Sequence, residues 1–370
     1  MHVSRAREGP APMRALRSDA GQTATEYMGM LLVSAALIAA IAQTNLPGRL
    51  RYEVVRTVCL TLNHEDACPP AWTVHRRRTA VIAHAASQGD RERKAREDKH
   101  GRRSIYDSRG QRLYRRNIVR RNGNGPSGRR EADKVFSNLG RVYDYWYDTF
   151  GRRSYDGKGS PLVATVRFRF DPEEPFRNAF WDPDHKQMVF GEGYGAPLDA
   201  TAHEIAHGVI LSELPGFSYK GENGALGEAI ADMFASNIDE NWTIGENLPG
   251  GALRNMEHPD RIDYVDRDSG RHIKPPAHAR DYVKTTIDKG GVHINAGIPN
   301  RAYVLMVKAL GRDASERILY DAVTKHLESD AGFEDFRAAC LKATVDPDDR
   351  DAVEQAFRQV GLDGTWQPPR

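Results

Sequence analysis

Residues 201–209 read Thr-Ala-His-Glu-Ile-Ala-His-Gly-Val, and this stretch constrains the chain more than any other. Side chains four apart share one face of an α-helix, so His203 and His207 can aim two imidazole nitrogens at one point. Two neutral imidazoles suit zinc. Glu204, next along the helix, could take a proton from a water activated by such an ion. Ala202, Ile205, Ala206 and Val209 give it flanks compatible with burial. The plain alternative is a chance match in an ordinary helix, so the rest of the chain has to decide.

A catalytic zinc needs a third protein ligand and one position left for water. The best candidate lies in Gly-Ala-Leu-Gly-Glu-Ala-Ile-Ala-Asp, residues 224–232. Glu228 and Asp232 are again four apart, on a helix otherwise rich in alanine. Two carboxylates on a buried helix are costly without partners. A zinc ion for Glu228 and the free ring N–H of His203 for Asp232 would be such partners. The alternative, that both carboxylates face solvent, needs a narrow polar stripe between Ala225, Leu226, Ala229, Ile230, Met233 and Phe234. A second cluster runs from Asp288 through Gly290 and Gly291 to His293. The glycines let the backbone turn, and Asn295 is expected to cap the next helix, where Pro299 is tolerable in the first turn. Asp288 would hold His293 protonated, and a cationic imidazole could stabilise an oxyanion. A lone loop histidine is otherwise often without a role.

At 370 residues, two or three domains are possible, and 39% hydrophobic with 28% charged residues allows an ordinary core. The charge is uneven. Residues 75–130 hold 18 Lys+Arg against 5 Asp+Glu, a net of +13, which leaves −11 elsewhere in a chain of net +2. A basic connector thus precedes an acidic body. Stacking aromatics are few there, only Tyr106 and Tyr114, so a solvated linker or cleavable prosegment is expected rather than a nucleic-acid partner. Contact with anionic headgroups is a further option. Cys59 and Cys68 could close a small disulfide loop in an exported protein, whereas Cys340 reads as a core thiol.

The first 20 residues are polar and carry Arg5, Arg7, Arg14 and Arg17, and an apolar run from Met28 to Ala42 follows. The run is short of the ~20 residues of a spanning helix, although TATEY upstream could extend it. The positive flank predicts a cytoplasmic N-terminus and an external body. Ala40-Ile41-Ala42 resembles a signal-peptidase site. Gly21-Gln-Thr-Ala-Thr-Glu26-Tyr27 resembles the processing motif of Flp-type prepilins, and that anchor is the preferred reading. A carboxylate at the head of an apolar helix is costly in lipid, so it has a job, here pairing with pilin-like subunits.

Along the body, apolar spacing predicts a helix over 131–150, and alternation predicts a strand over 162–170 and a second over 187–190. Helices are expected near 224–239, 296–311, 314–327, 333–343 and 349–360. That order predicts an α+β fold with a mixed, β-rich first part and a helical second part.

Five motifs together resemble the thermolysin-like metalloendopeptidases, most of all the protealysin-type branch. They are N-A-F-W at 178–181, H-E-I-A-H at 203–207, G-A-L-G-E-A-I-A-D at 224–232, A-L-R at 252–254 and G-G-V-H-I-N-A-G at 290–297. The resemblance runs from about Ser104 to Leu362, and Ile105-Tyr-Asp107 resembles the end of a protealysin-type prosegment. It implies a thermolysin-like two-lobe fold, β-rich then helical, with a zinc helix between the lobes. It implies that His203, His207 and Glu228 bind zinc and that Glu204 moves the proton of the attacking water. Tyr219 and His293 would stabilise the oxyanion, Asp288 would orient His293, and Asp232 would support His203. Asn178, Ala179 and Arg254 would bind a peptide or protein substrate. Gly227 stands where relatives have Asn, and the loop from Gly195 to Asp199 is shorter than theirs. Of the family's calcium ligands Asp199, Asp239 and Glu246 remain, while Asn241 and Thr243 replace carboxylates, so calcium is a weaker expectation than zinc.

The expectation is a zinc endopeptidase with four segments. They are a prepilin-like anchor at 1–43, with residues 27–43 in the membrane, a basic linker or prosegment at 44–130, a first lobe at 131–213 and a helical lobe at 214–370. The body would lie outside the cell membrane, tethered by one pass or secreted after processing. The alternatives are a pilin-like assembly or adhesion subunit with a binding body, and a peptidase that processes only itself.

Overall fold

The structure, a computed structural model, describes residues 100–266 and 269–369. These lie in one compact unit, Thr79–Arg370, and a second unit, Met1–Arg78, lies outside the described residues. The expected anchor at 1–43, the membrane segment at 27–43 and the Cys59–Cys68 pair also lie outside them. Among the described residues no helix is long and apolar enough to cross a membrane.

Five strands form a mixed sheet: β1 (Arg103–Asp107), β2 (Ile118–Arg121), β3 (Leu162–Val166), β4 (Ala179–Asp182) and β5 (Gln187–Phe190). Their order is β2-β1-β3-β5-β4. The inner strands β1, β3 and β5 pair in parallel, and the edge strands β2 and β4 pair antiparallel. Parallel neighbours need a crossover, and α1 (Arg130–Phe150) supplies it between β1 and β3. Its inward face, Val135, Leu139, Val142 and Trp146, is almost fully buried. Gly151 ends α1 in a left-handed conformation, and the amides of Gly151 and Arg152 close on Tyr147 O and Trp146 O.

Two expectations fail here. The strand predicted over 162–170 ends at Val166, because Arg167 turns left-handed (φ 54°) and its guanidinium pairs with buried Asp107. The stretch up to residue 130 is not linker throughout, since β1 and β2 lie within it. Its arginines have packing work. Arg103 and Arg120 stack over the Phe136 ring at 4.0 and 4.2 Å, and Arg120 also pairs with Asp133.

Helices follow in the order α2 (Leu198–Glu213), α3 (Gly221–Asp239), α4 (Asp288–Asn295), α5 (Gly297–Leu310), α6 (Arg312–Lys325), α7 (Phe333–Ala343) and α8 (Pro347–Arg358); α4 was not expected, and its residues 289–291 depart from helical geometry. Two small ladders lie between α3 and α4: β6 (Thr243–Ile244) with β7 (Arg254–Asn255), and β8 (Tyr264–Val265) with β9 (His272–Ile273). One apolar cluster runs from Ile105 in the sheet through α2 and α3 to Leu362, so the strand-rich and helical parts share a core. Gly208 lets the Trp181 ring of β4 lie against α2, since a Cβ there would be 3.0 Å from it. Asn295 does not cap α5. Its Oδ1 accepts from Val283 N and its Nδ2 donates to Val283 O, which ties down the loop before α4.

Candidate metal centre

α2 carries His203, Glu204 and His207 into the core, and α3 packs against it with Glu228 facing them. His203 Nε2 and His207 Nε2 are 3.0 Å apart. Glu228 Oε2 lies 3.4 Å from His203 Nε2, and Glu228 Oε1 lies 3.3 Å from His207 Nε2. One ligand atom from each of the three residues falls within 4.8 Å of the others. Buried Glu204 Oε2 and Glu228 Oε2 have no hydrogen-bond partner. Two imidazole nitrogens at contact beside carboxylate oxygens without a hydrogen-bond partner make a poor protein-only arrangement and a good donor set for zinc.

Asp232, one turn beyond Glu228, is fully buried. Its Oδ1 is 3.0 Å from His203 Nδ1, although the angle falls short of a well-aligned hydrogen bond. Arg254 grips it with two bonds of 2.7 Å, through Nε and Nη2, and Asn300 Nδ2 donates to Oδ2 at 2.8 Å. Burial opposes the charge on Asp232, but Arg254 and His203 outweigh it and hold the carboxyl down at about 2. Burial also opposes the charge on His203, but Asp232 and Glu228 lift its pKa to about 10 when only protein groups surround it. A divalent ion would displace that proton.

Tyr219 donates to Glu228 Oε1 at 2.5 Å, and its hydroxyl is 3.2 Å from His293 Nε2. Asp288 accepts from His293 N at 2.7 Å and pairs with its Nδ1 at 2.7 Å. This hold depends on an unusual backbone. Asp288, Lys289, Gly290 and Gly291 are left-handed in succession, with φ of 50, 53, 97 and 80°. The structure therefore brings His203, Glu204, His207, Glu228, Asp232, Tyr219, Arg254, Asp288 and His293 into one cluster. Asn178 lies just before the edge strand β4 and Ala179 begins it, with Ala179 paired to Phe190 and Asn178 O accepting from Gly191 N.

Sequence reasoning missed Asn300 and Tyr264, whose ring stacks on His293 with centroids 6.4 Å apart. A buried Asn in an apolar helix was a usable sign for Asn300. A single Tyr outside every predicted element, in what proves to be the two-residue strand β8, gave none.

Asp199, Asp239 and Glu246 form a separate group with ligand atoms within 4.8 Å. Asn241 Nδ2 donates to Asp239 Oδ2 at 2.8 Å and to Glu246 Oε1 at 3.1 Å. Thr243 N donates to Asn241 Oδ1, which fixes that amide's orientation. Both Asp199 oxygens accept backbone amides, from Ala200 and Gly245. Asn241 thus presents its amide nitrogen, not an oxygen, to two of the three carboxylates, which leaves Asp199, Asp239 and Glu246 as the oxygen donors a cation would meet.

Residues 121–211 match the family model for the thermolysin metallopeptidase catalytic domain, and residues 215–362 match that for its alpha-helical domain. The chain is 36% identical over 291 residues to an extracellular metalloprotease of Pectobacterium carotovorum, covering 70% of this chain and 81% of that protein. It is 36% identical over 249 residues to bacillolysin of Bacillus subtilis, covering 64% of this chain and 45% of that protein. Among solved structures it is similar to the precursor of protealysin, a metalloproteinase from Serratia proteamaculans. The TM-score is 0.64 at 33% identity, covering 71% of this chain and 88% of that one.

Proposed function

Since this chain belongs to the thermolysin metallopeptidase family and is a metalloendopeptidase, a hydrolase, we propose that it cleaves peptide bonds at a zinc ion held by His203, His207 and Glu228. The observation that carries this reading is the three ligand atoms within 4.8 Å, beside a buried Glu204 oxygen with no partner. Zinc would supply Lewis acidity, which makes water acidic near neutral pH and draws charge from a carbonyl. Glu204 takes the water's proton and passes it to the leaving amine. Burial raises its carboxyl above the usual range, against the pull of His203 and His207, which suits a group that must both accept and give. Tyr219 and His293 donate to the carbonyl oxygen as it gains charge, and Asp288 holds His293 in place. A peptide lying along the free edge of β4 would meet Asn178 and the Ala179 backbone, and Arg254 would offer it a further donor. The expected result is peptide cleavage by the full chain that a chelator abolishes and zinc restores. Cleavage that persists in zinc-stripped protein would rule the reading out.

We further propose that the enzyme is exported and tethered through the apolar run of residues 28–42, inside which the arginine-rich start stays cytoplasmic. The word extracellular in a relative's name supports export alone. N-terminal sequencing of the mature chain decides it. A start at Gln22 supports the pilin-like tether, and a start at Gln43 or later replaces it with secretion.

A further inference from the structure

We propose that Lys289 is a positioning residue for the peptidase reaction, acting through Tyr219, whose ring its ammonium covers. The proposal rests on the role given above to the Tyr219 hydroxyl. Three observations carry it. Lys289 Nζ lies 4.4 Å from the centroid of the Tyr219 ring. Lys289 is itself left-handed (φ 53°), a conformation that disfavours any side chain with a Cβ and that persists where surroundings impose it. Here they do. Ile287 O accepts both Gly290 N and Gly291 N, and a Cβ at Gly290 would be 3.0 Å from the Gly221 backbone at the start of α3. The turn that sets Asp288 on His293 thereby also aims Lys289 at Tyr219.

Tyr219 needs such support. It is 40% exposed and hangs from the loop between α2 and α3, yet its hydroxyl must point inward, between Glu228 and His293. A cation on the ring face draws electron density from the phenol and makes its hydroxyl a better donor. The same contact holds the ring against swinging out of the cleft.

The test is steady-state kinetics on the full-length zinc enzyme. Lys289→Met should lower kcat about three- to tenfold with KM nearly unchanged, a loss within the range of one cation–π contact. Lys289→Arg should recover most of it. In a Tyr219→Phe background the ring remains but the hydroxyl is gone, so Lys289→Met should then change kcat by less than about twofold. In the metal-free protein, NMR should show the ε-CH2 protons of Lys289 shifted upfield by the ring, and Tyr219→Ala should remove that shift. An unchanged kcat in Lys289→Met, a loss confined to KM, or the same loss in both backgrounds would overturn the proposal, as would the absence of the ring shift. If Tyr219→Phe alone leaves kcat intact while the shift is present, the role assigned to the hydroxyl fails rather than the contact.

Discussion

Glu316 is buried on α6, and the Tyr145 hydroxyl donates to its Oε2 at 2.8 Å. Burial pushes its carboxyl from 4.5 up to about 7; Tyr145, Arg317 and Arg312 pull it down, and Asp313 adds to the rise. The folded protein therefore holds this proton more tightly than the unfolded chain. The group's contribution to stability is fully present below the unfolded value, near 4.5, and is lost as pH rises through about 7. The cost above that pH is at most about 3 kcal/mol, from the size of the shift. Glu316→Gln keeps an acceptor for Tyr145 and removes the titration. Urea unfolding should show it near-neutral at about pH 4.5 and stabilising at about pH 8 by up to ~2–3 kcal/mol. Equal effects at both pH values would contradict the assignment. At this same scale the metal centre was legible only where chemistry is local. His203, Glu204 and His207 announce themselves by spacing, and Glu228 and Asp232 by the cost of burying two carboxylates. The grip of Arg254 on Asp232 and the bond from Asn300 join residues 22 and 68 positions apart, and no local pattern encodes them.

Elements were legible in proportion to their length and periodicity. The amphipathic α1 and the C-terminal helices stand where apolar spacing put them. The short strands β1, β2 and β4 did not stand out, because four or five residues give alternation little room and, unlike β5, they have no glycines directly after them to mark their end. β2 reads Ile-Val-Arg-Arg within a basic stretch, and only pairing with β1 makes it a strand. Arg167 ended β3 four residues early, since its pull toward Asp107 competes with continuing the strand. The left-handed run at 288–291 was half legible. Gly290 and Gly291 signalled a turn, but Asp288 and Lys289 in the same conformation are imposed by contacts with α3 and His293.

Across the whole body, the sheet and the helices close on one core, and α2 runs through it with its two imidazoles facing α3. That placement buries charged groups which the protein alone leaves partly unsatisfied, and it makes sense if a divalent ion completes them. The central claim is that His203, His207 and Glu228 hold that ion while Glu204 moves protons beside it. The most direct test is to measure bound zinc and peptide turnover together in the full-length protein and in Glu204→Gln. The account predicts one zinc per chain in both, with turnover about 10²–10⁴-fold lower in the variant, the range expected for a lost general base. A wild-type chain that holds no zinc, or a Glu204→Gln enzyme that cleaves at the normal rate, would contradict it.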